Sequence, residues 1–309
     1  MKNRVPLVAI LLVILVIQPA FAWWEEGHQL INRTAALKVP DSMPSFMRKA
    51  AERIAYLGPE PDRWRERSEF SLKNSQEPDH YIDLERVSDI PELPPGRYDF
   101  YRLLYAKRVA AKEHGDDFLP EKVGTQPYIT MEIYDRLKVA FREYRRLQQQ
   151  KLPTEGVEQN IALYAGWLGH YVADGSNPLH TTIHYNGWAG DNPSGYTTSK
   201  ELHGDFEGRL VVRTLDQMEI ASLIRAPVRL QDPWHDYIEY LRDSNKLVEK
   251  TYQLEKAGGL KDAGTPESRD FLRQRLAAGA QMLLNLWYTA WEESAKPLPP
   301  RTPPPAGGN

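Results

Sequence analysis

Two pairs of residues repeat one arrangement: His170 with Asp174, and His203 with Glu207, each a histidine and a carboxylate four positions apart. On a helix such residues share a face, so each pair can present a ring nitrogen and a carboxylate oxygen to one ion. His180 follows Asp174 beyond Asn177 and Pro178, a dipeptide that ends a helix and lets the histidine turn toward a different ion. The chain contains no cysteine, so nitrogen and oxygen are the donors on hand, a set that suits zinc. The bland alternative is a helix with ordinary polar faces, but matching residues recur elsewhere along the chain.

His28 is one of these, expected near the first turn of a helix whose apolar stripe is Leu30, Ile31, Ala35 and Leu37. Just upstream, Lys2 and Arg4 make a basic start, Val5 to Ile17 is almost wholly apolar, and Ala20-Phe21-Ala22 is a small-x-small cleavage triplet. Residues 1–22 therefore read as a secretory signal peptide, and the mature protein is expected to begin at Trp23, with no membrane span after cleavage. Cleavage would free the α-amino group of Trp23, which with its own carbonyl oxygen can chelate a metal in a five-membered ring. Asp62 sits in a Pro-primed turn, where an aspartate is ordinarily a cap. His80 is flanked by Asp79 and Asp83 in an irregular piece, and these carboxylates are candidates to hold its second ring nitrogen.

The elements that must position these residues read as helices. Beyond the one that carries His28, helices are expected over 43–57, 98–114 and 127–149, from about 155 to the break at Asn177, and over 215–224, 232–254 and 266–294. The helix with His170 and Asp174 is apolar almost throughout and should be the most buried, so its polar pair needs partners. Residues 181–200 look like a mobile loop whose aromatics stack on a base, rest on a lipid surface or pin the loop to the body. The Arg142, Arg145 and Arg146 cluster is a solvated face before it is a polyanion site.

With 309 residues, 41% hydrophobic and 26% charged, the composition is that of a globular protein. No linker divides it, so one domain is expected over 23–296, followed by a disordered Pro- and Gly-rich tail over 297–309. The formal charge is −3, and loss of Lys2 and Arg4 makes the mature chain more acidic, which gives no footprint for duplex DNA. Without disulfides, bound metal is a candidate cross-link.

The ordered set Trp23, His28, Asp62, His80, His170, Asp174, His180, His203 and Glu207 resembles the zinc-dependent phospholipase C and single-strand-specific (type I) nuclease superfamily. The resemblance runs from Trp23 to about Glu207 and takes up five of the eight histidines. It implies an all-α helical bundle with a cluster of three zinc ions at the bottom of a cleft. Asp62, His80, His170 and Asp174 would hold one ion. The amino group and carbonyl of Trp23 would hold a second with His28, sharing Asp174 as a bridge, and His180, His203 and Glu207 would hold a third. Asp62 and Asp174 are then the catalytic carboxylates, Asp62 as a ligand first and as an orienter of water or general base second. Hydrolysis of a P–O bond by a metal-bound hydroxide is the expected chemistry.

The resemblance leaves the substrate divided. The short Trp23 to His28 spacing and His80-Tyr81-Ile82-Asp83 look like the nuclease branch, which implies single-stranded DNA or RNA. Glu207, where the nucleases usually have aspartate, looks like the phospholipases. For a phospholipid head group, Glu26, Trp64 or a loop tyrosine would form a cation box. A reading of another class is a metal-stabilised envelope binding protein with closed structural sites. The resemblance and the signal peptide together imply a secreted or periplasmic enzyme with no protein partner.

Overall fold

Helical periodicity dominates the sequence, and the computed structural model, which describes residues 23–214 and 220–297, is all-α, with no strand among those residues. The signal sequence, positions 215–219 of the helix expected over 215–224, and the tail from 298 lie outside the described residues. The principal helices are α1 (Trp24–Leu37), α2 (Ala51–Tyr56), α3 (Arg97–Ala111), α4 (Gln126–Gln149), α5 (Glu155–Ser176), α6 (Leu210–Thr214), α7 (Pro233–Asn245), α8 (Val248–Lys256) and α9 (Pro266–Ser294). No described helix is long and apolar enough to cross a membrane.

Helix α5 is the centre of the bundle, packed by α1, α2, α4, α7 and α9. From Leu168 to Ser176 every residue is buried, which explains the near absence of a polar face in its sequence. The carbonyls near its end are met by side chains from two other elements and by the helix itself. Tyr171 O accepts from Tyr237 at 3.2 Å, Val172 O from Tyr240 at 2.7 Å, and Ala173 O from the Trp23 indole and from Ser176, each at 2.7 Å. Asn177 turns into the extended region and its side chain accepts from Leu179 N at 3.0 Å, which caps the short turn Pro178–His180.

The approach of α1 to α5 depends on Gly169. A Cβ there would overlap the side-chain oxygen of Asn32, whose amide donates to Ile54 O and Gly166 O at 3.0 Å each. Asn32 cannot swing aside without orphaning two buried carbonyls. Gly169→Ala is therefore expected to cost about 3 kcal/mol, as overpacking plus a lost buried hydrogen bond. Urea unfolding at fixed metal content checks this, and an unchanged midpoint would contradict the packing.

Three expected helices are shorter than their periodicity. The one over 43–57 divides at Ala50 into Phe46–Lys49 and α2, a bend that lets Met47 and Ile54 both reach the core. That over 98–114 ends at Ala111, because Lys112 takes a φ of 51° and a 3-10 segment, Lys112–Phe118, follows. The one over 232–254 divides into α7 and α8 around Lys246, which lets Asn245 donate to Thr181 O at 2.8 Å. Two members of the arginine cluster are engaged within the chain. Arg145 lies over the Trp291 ring and binds Trp291 O, while Arg146 is bonded to Glu143 and Gln150.

Candidate metal centre

Elements distant in sequence converge at the C-terminal end of α5. His28 comes from α1, and Asp62 from the short turn Glu60–Arg63, which Pro59 and Pro61 start. His80 closes a 3-10 turn, Glu77–His80, rather than an irregular strand-like piece, because Pro78 sets its first turn. His170 and Asp174 lie one helical turn apart on α5, as their spacing requires. His180 closes the turn after the Asn177-Pro178 break. His203 sits on a three-residue helix, Leu202–Gly204, and Glu207 on a π-helical turn, Asp205–Arg209. Single π turns of this kind recur where a side chain must be re-aimed within a helix.

The Asp174 carboxylate faces four histidines. Its Oδ1 is 3.5 Å from His28 Nε2, and its Oδ2 is 3.2 Å from His80 Nδ1, 3.3 Å from His170 Nε2 and 3.9 Å from His180 Nδ1. Asp62 lies 3.9 Å from His28 and 3.7 Å from His80. Beside this cluster, Glu207 Oε1 lies 2.8 Å from His180 Nε2 and against His203 Nε2, and accepts from Asn177 at 2.7 Å. Three groups whose ligand atoms lie within 4.8 Å of one another result: His28, Asp62 and His170; His80, His170 and Asp174; and His180, His203 and Glu207.

Two features show that these buried groups suit metal ions. Three histidines turn Nδ1 to a backbone carbonyl: His170 to Gly58 O at 2.8 Å, His180 to His80 O at 2.7 Å, and His203 to Tyr185 O at 2.9 Å. Donation from Nδ1 leaves the Nε2 lone pair aimed into the cluster, the arrangement of metal-binding imidazoles. In addition, His28 Nδ1 and Nε2, His80 Nε2, Asp62 Oδ2, Asp174 Oδ1 and Glu207 Oε2 are buried without a hydrogen-bond partner. Native proteins seldom leave such atoms unpaired, and here they gather in one place. His170 Nε2 and His80 Nδ1, only 3.0 Å apart, also need a cation or a proton between them.

Electrostatics follow from the crowding. Burial and the neighbouring His170 hold His28 well below the usual imidazole range, and its ring stacks on His170 at 4.1 Å. Burial likewise lowers His80 to about 3. Burial opposes charge on His170 too, but Asp174 and Asp62 outweigh it and raise its pKa. Asp62 is pushed up to about 6 by burial, against the pull of His170 and Arg65. Asp174 is held well below the carboxylate range, because His170 and His180 outweigh its burial. For His180, burial is outweighed by Asp174 and Glu207, which raise it from 6.5 to about 9.

A group raised in this way stabilises the metal-free fold below pH 6.5 and loses that contribution as pH rises through about 9. The same proton competes with a metal ion for Nε2. Zinc affinity at the His180, His203 and Glu207 group is thus expected to rise about tenfold per pH unit from neutrality toward about 9. Titration against a zinc indicator in stepped buffers measures it, and a flat profile would contradict the proton competition.

Trp23 is buried beside both clusters. Its indole is bonded to Ala173 O, next to Asp174, and its ring packs on Phe206, next to Glu207, with centroids 5.5 Å apart. Its φ is 41°, and its carbonyl oxygen accepts from Gly27 N at 3.0 Å, so that oxygen also serves as a helix acceptor.

Two expected supports are replaced. Asp79 binds Thr125 and Arg97 at 2.7 and 3.1 Å, and Asp83 binds Arg86 at 3.0 Å, so neither holds the second nitrogen of His80. Arg65 is an unforeseen member of the site. Three residues beyond Asp62 on a helical turn, it reaches Asp62 Oδ1 at 3.3 Å and Glu77 at 3.6 Å. The Asp-x-x-Arg spacing carried that signal.

The clusters open into a cleft of about 1140 Å³, whose wall includes His80, His180 and His203. Arg65, Arg86, Arg97 and Lys122 line it, together with Tyr81, Tyr101 and Tyr185. The loop over 181–200 is pinned by its aromatics: Tyr196 is buried and Trp188 packs on Tyr252 at 5.1 Å. Tyr185 stays 56% exposed on the cleft rim. No family model matches the chain, and no curated protein matches it.

Proposed function

We propose that the chain is an exported zinc-dependent phosphodiesterase that cleaves single-stranded nucleic acid. One observation carries this reading: a buried histidine and carboxylate cluster with unpaired donor atoms opens into a cleft whose wall carries Arg65, Arg86, Arg97 and Lys122 beside Glu77, Asp83 and Glu121. His28, Asp62, His80, His170 and Asp174, with the backbone of Trp23, would hold two ions, and His180, His203 and Glu207 a third. Zinc, when bound, supplies positive charge that acidifies water and offsets the charge of a phosphodiester.

The chain's own residues supply the rest. Asp62 lies opposite Asp174 with one oxygen free of hydrogen bonds, so it can orient a water or take its proton. Burial opposes the charge on Arg65, but Asp62 and Glu77 outweigh it, so Arg65 remains a cation on the cleft wall. There it can bind a non-bridging phosphate oxygen as charge develops. Tyr185 and Tyr81 offer ring faces to an unstacked base.

Four basic side chains on the wall against three acidic ones favour an anionic substrate over a phosphocholine head group. Of the proposed parts of a cation box, the loop tyrosine Tyr185 lines the cleft, but Glu26 and Trp64 are not among the cleft residues, and Trp64 packs edge-on against Trp167 at 5.1 Å. A binding protein with closed structural zinc fits less well, since His80, His180 and His203 all reach the cleft.

The test is an activity panel on protein beginning at Trp23: single-stranded oligonucleotides, duplex DNA and phospholipid vesicles, with and without chelator. Chelator-sensitive cutting of single strands is expected. Release of phosphorylated head group without oligonucleotide cutting would move the proposal to phospholipids, and no hydrolysis at all would overturn it. Arg65→Ala, assayed with zinc in excess so that the sites stay filled, is expected to lower kcat/KM on oligonucleotides about 10- to 100-fold. Unaltered kinetics would remove Arg65 from the site.

A further inference from the structure

The third candidate site differs from the others in how it is enclosed. The His203 side chain is 13% exposed, against 6% for His180 and 0% for Glu207. Its ring is not fixed by core packing alone. His203 Nδ1 donates to Tyr185 O at 2.9 Å, and its backbone N–H donates to the Asn186 side-chain oxygen at 3.3 Å. Both partners belong to the loop between His180 and the Leu202–Gly204 helix, which contains no regular element to hold its own shape.

Aromatic packing places that loop. The His184 ring stacks on Trp188, with centroids 4.0 Å apart and planes 11° from parallel. Trp188 stands edge-on to Tyr252 at 5.1 Å and lies 4.9 Å from Tyr196. From α8, the Tyr252 hydroxyl donates to His184 O, the carbonyl just before Tyr185. Trp188 N–H donates to Thr197 O at 2.8 Å and closes the loop on itself. Gly187 makes the turn between the two functions of the loop: its φ is +91°, and a Cβ there would press on Thr198 O. One residue before Trp188, and two after the residue whose carbonyl holds His203, the chain therefore has little freedom to reposition.

We propose that the aromatic clamp of Trp188 and Tyr252 is a positioning device for His203, and through it sets the affinity of the third metal site. It acts on the ion through the Tyr185 carbonyl, which fixes the tautomer and aim of the His203 ring. The inference rests on the zinc reading above and deepens it: one ion is tied to a surface loop, while the other two are tied to the core of α5. Loss of the clamp should release the third ion selectively.

The experiment reads metal, not activity. Mature protein is loaded with zinc, dialysed against buffered free zinc over a range of concentrations, and its metal content is measured by mass spectrometry. Trp188→Ala is expected to weaken the weakest site about 10- to 100-fold, the usual effect of removing an outer partner of a ligand. Zinc then falls from three ions to two per chain at a concentration that fills the wild type. Tyr252→Phe keeps the ring and removes the hydroxyl, so a smaller loss in the same site is expected, and it decides the matter if Trp188→Ala does not fold. Folded variants that keep three ions at wild-type affinity would overturn the clamp, as would a parallel loss from all three sites. A wild-type chain that takes up no zinc would overturn the zinc reading and the clamp together.

Discussion

Asp174→Asn is expected to abolish phosphodiester cleavage and to lower the zinc content of the protein. The carboxylate faces His28, His80, His170 and His180 within 3.9 Å, more histidines than Asp62 or Glu207 meets at that distance. Asparagine keeps the shape but offers one neutral oxygen where two charged ones stood. A shared ligand is lost, and with it the countercharge that lets His170 and His180 share one buried site. Metal-assisted hydrolysis draws several kcal/mol from its ions, and 1.4 kcal/mol is a factor of ten, so a fall of about 1000-fold or more in kcat is expected. Turnover of an oligonucleotide and zinc per chain should be measured on the same preparation. A variant with wild-type turnover would remove Asp174 from the centre of the account.

The second large effect is thermal. Zinc removal leaves His28, His80, Asp62, Asp174 and Glu207 each with a buried atom that has no protein partner. An ion at a thousandfold excess over its Kd stabilises the native state by about 4 kcal/mol. For a chain of this size each kcal/mol moves Tm by roughly 2–4 °C. Exhaustive chelation is thus expected to lower Tm by roughly 10 °C per ion lost, and added zinc should restore it. Calorimetry with and without chelator checks this. An unchanged Tm would mean that the cluster is satisfied without metal.

The sequence made the helical class plain, and with it the placement of the candidate ligands wherever that depends on spacing within one element. His170 and Asp174 meet because residues four apart on a helix must, and the buried character of α5 is written in its continuous apolarity. Asn177-Pro178 ended that helix as expected. Contacts between elements were harder to read. Asp79 and Asp83 flank His80 in sequence, yet Thr125, Arg97 and Arg86 claim them, and backbone carbonyls from Gly58, His80 and Tyr185 support the histidines. Carbonyls carry no residue identity, so no pattern of side chains could reveal them. The bend at Ala50 and the break near Lys246 were hidden for a related reason: tertiary demands from Met47, Ile54 and Asn245 override a periodicity that runs on without interruption. In the loop over 181–200 the sequence left three uses for the aromatics: Trp188 and Tyr196 pin the loop to the body, while Tyr185 lines the cleft on the other side of the turn at Gly187.

Diffraction from crystals grown with zinc, recorded on either side of the zinc absorption edge, tests the central claim most directly. The account predicts three anomalous peaks: two against Asp174, between His28, Asp62, His80 and His170, and one between His180, His203 and Glu207. Crystals with no anomalous density at either cluster, from protein that still cleaves oligonucleotides, would contradict it.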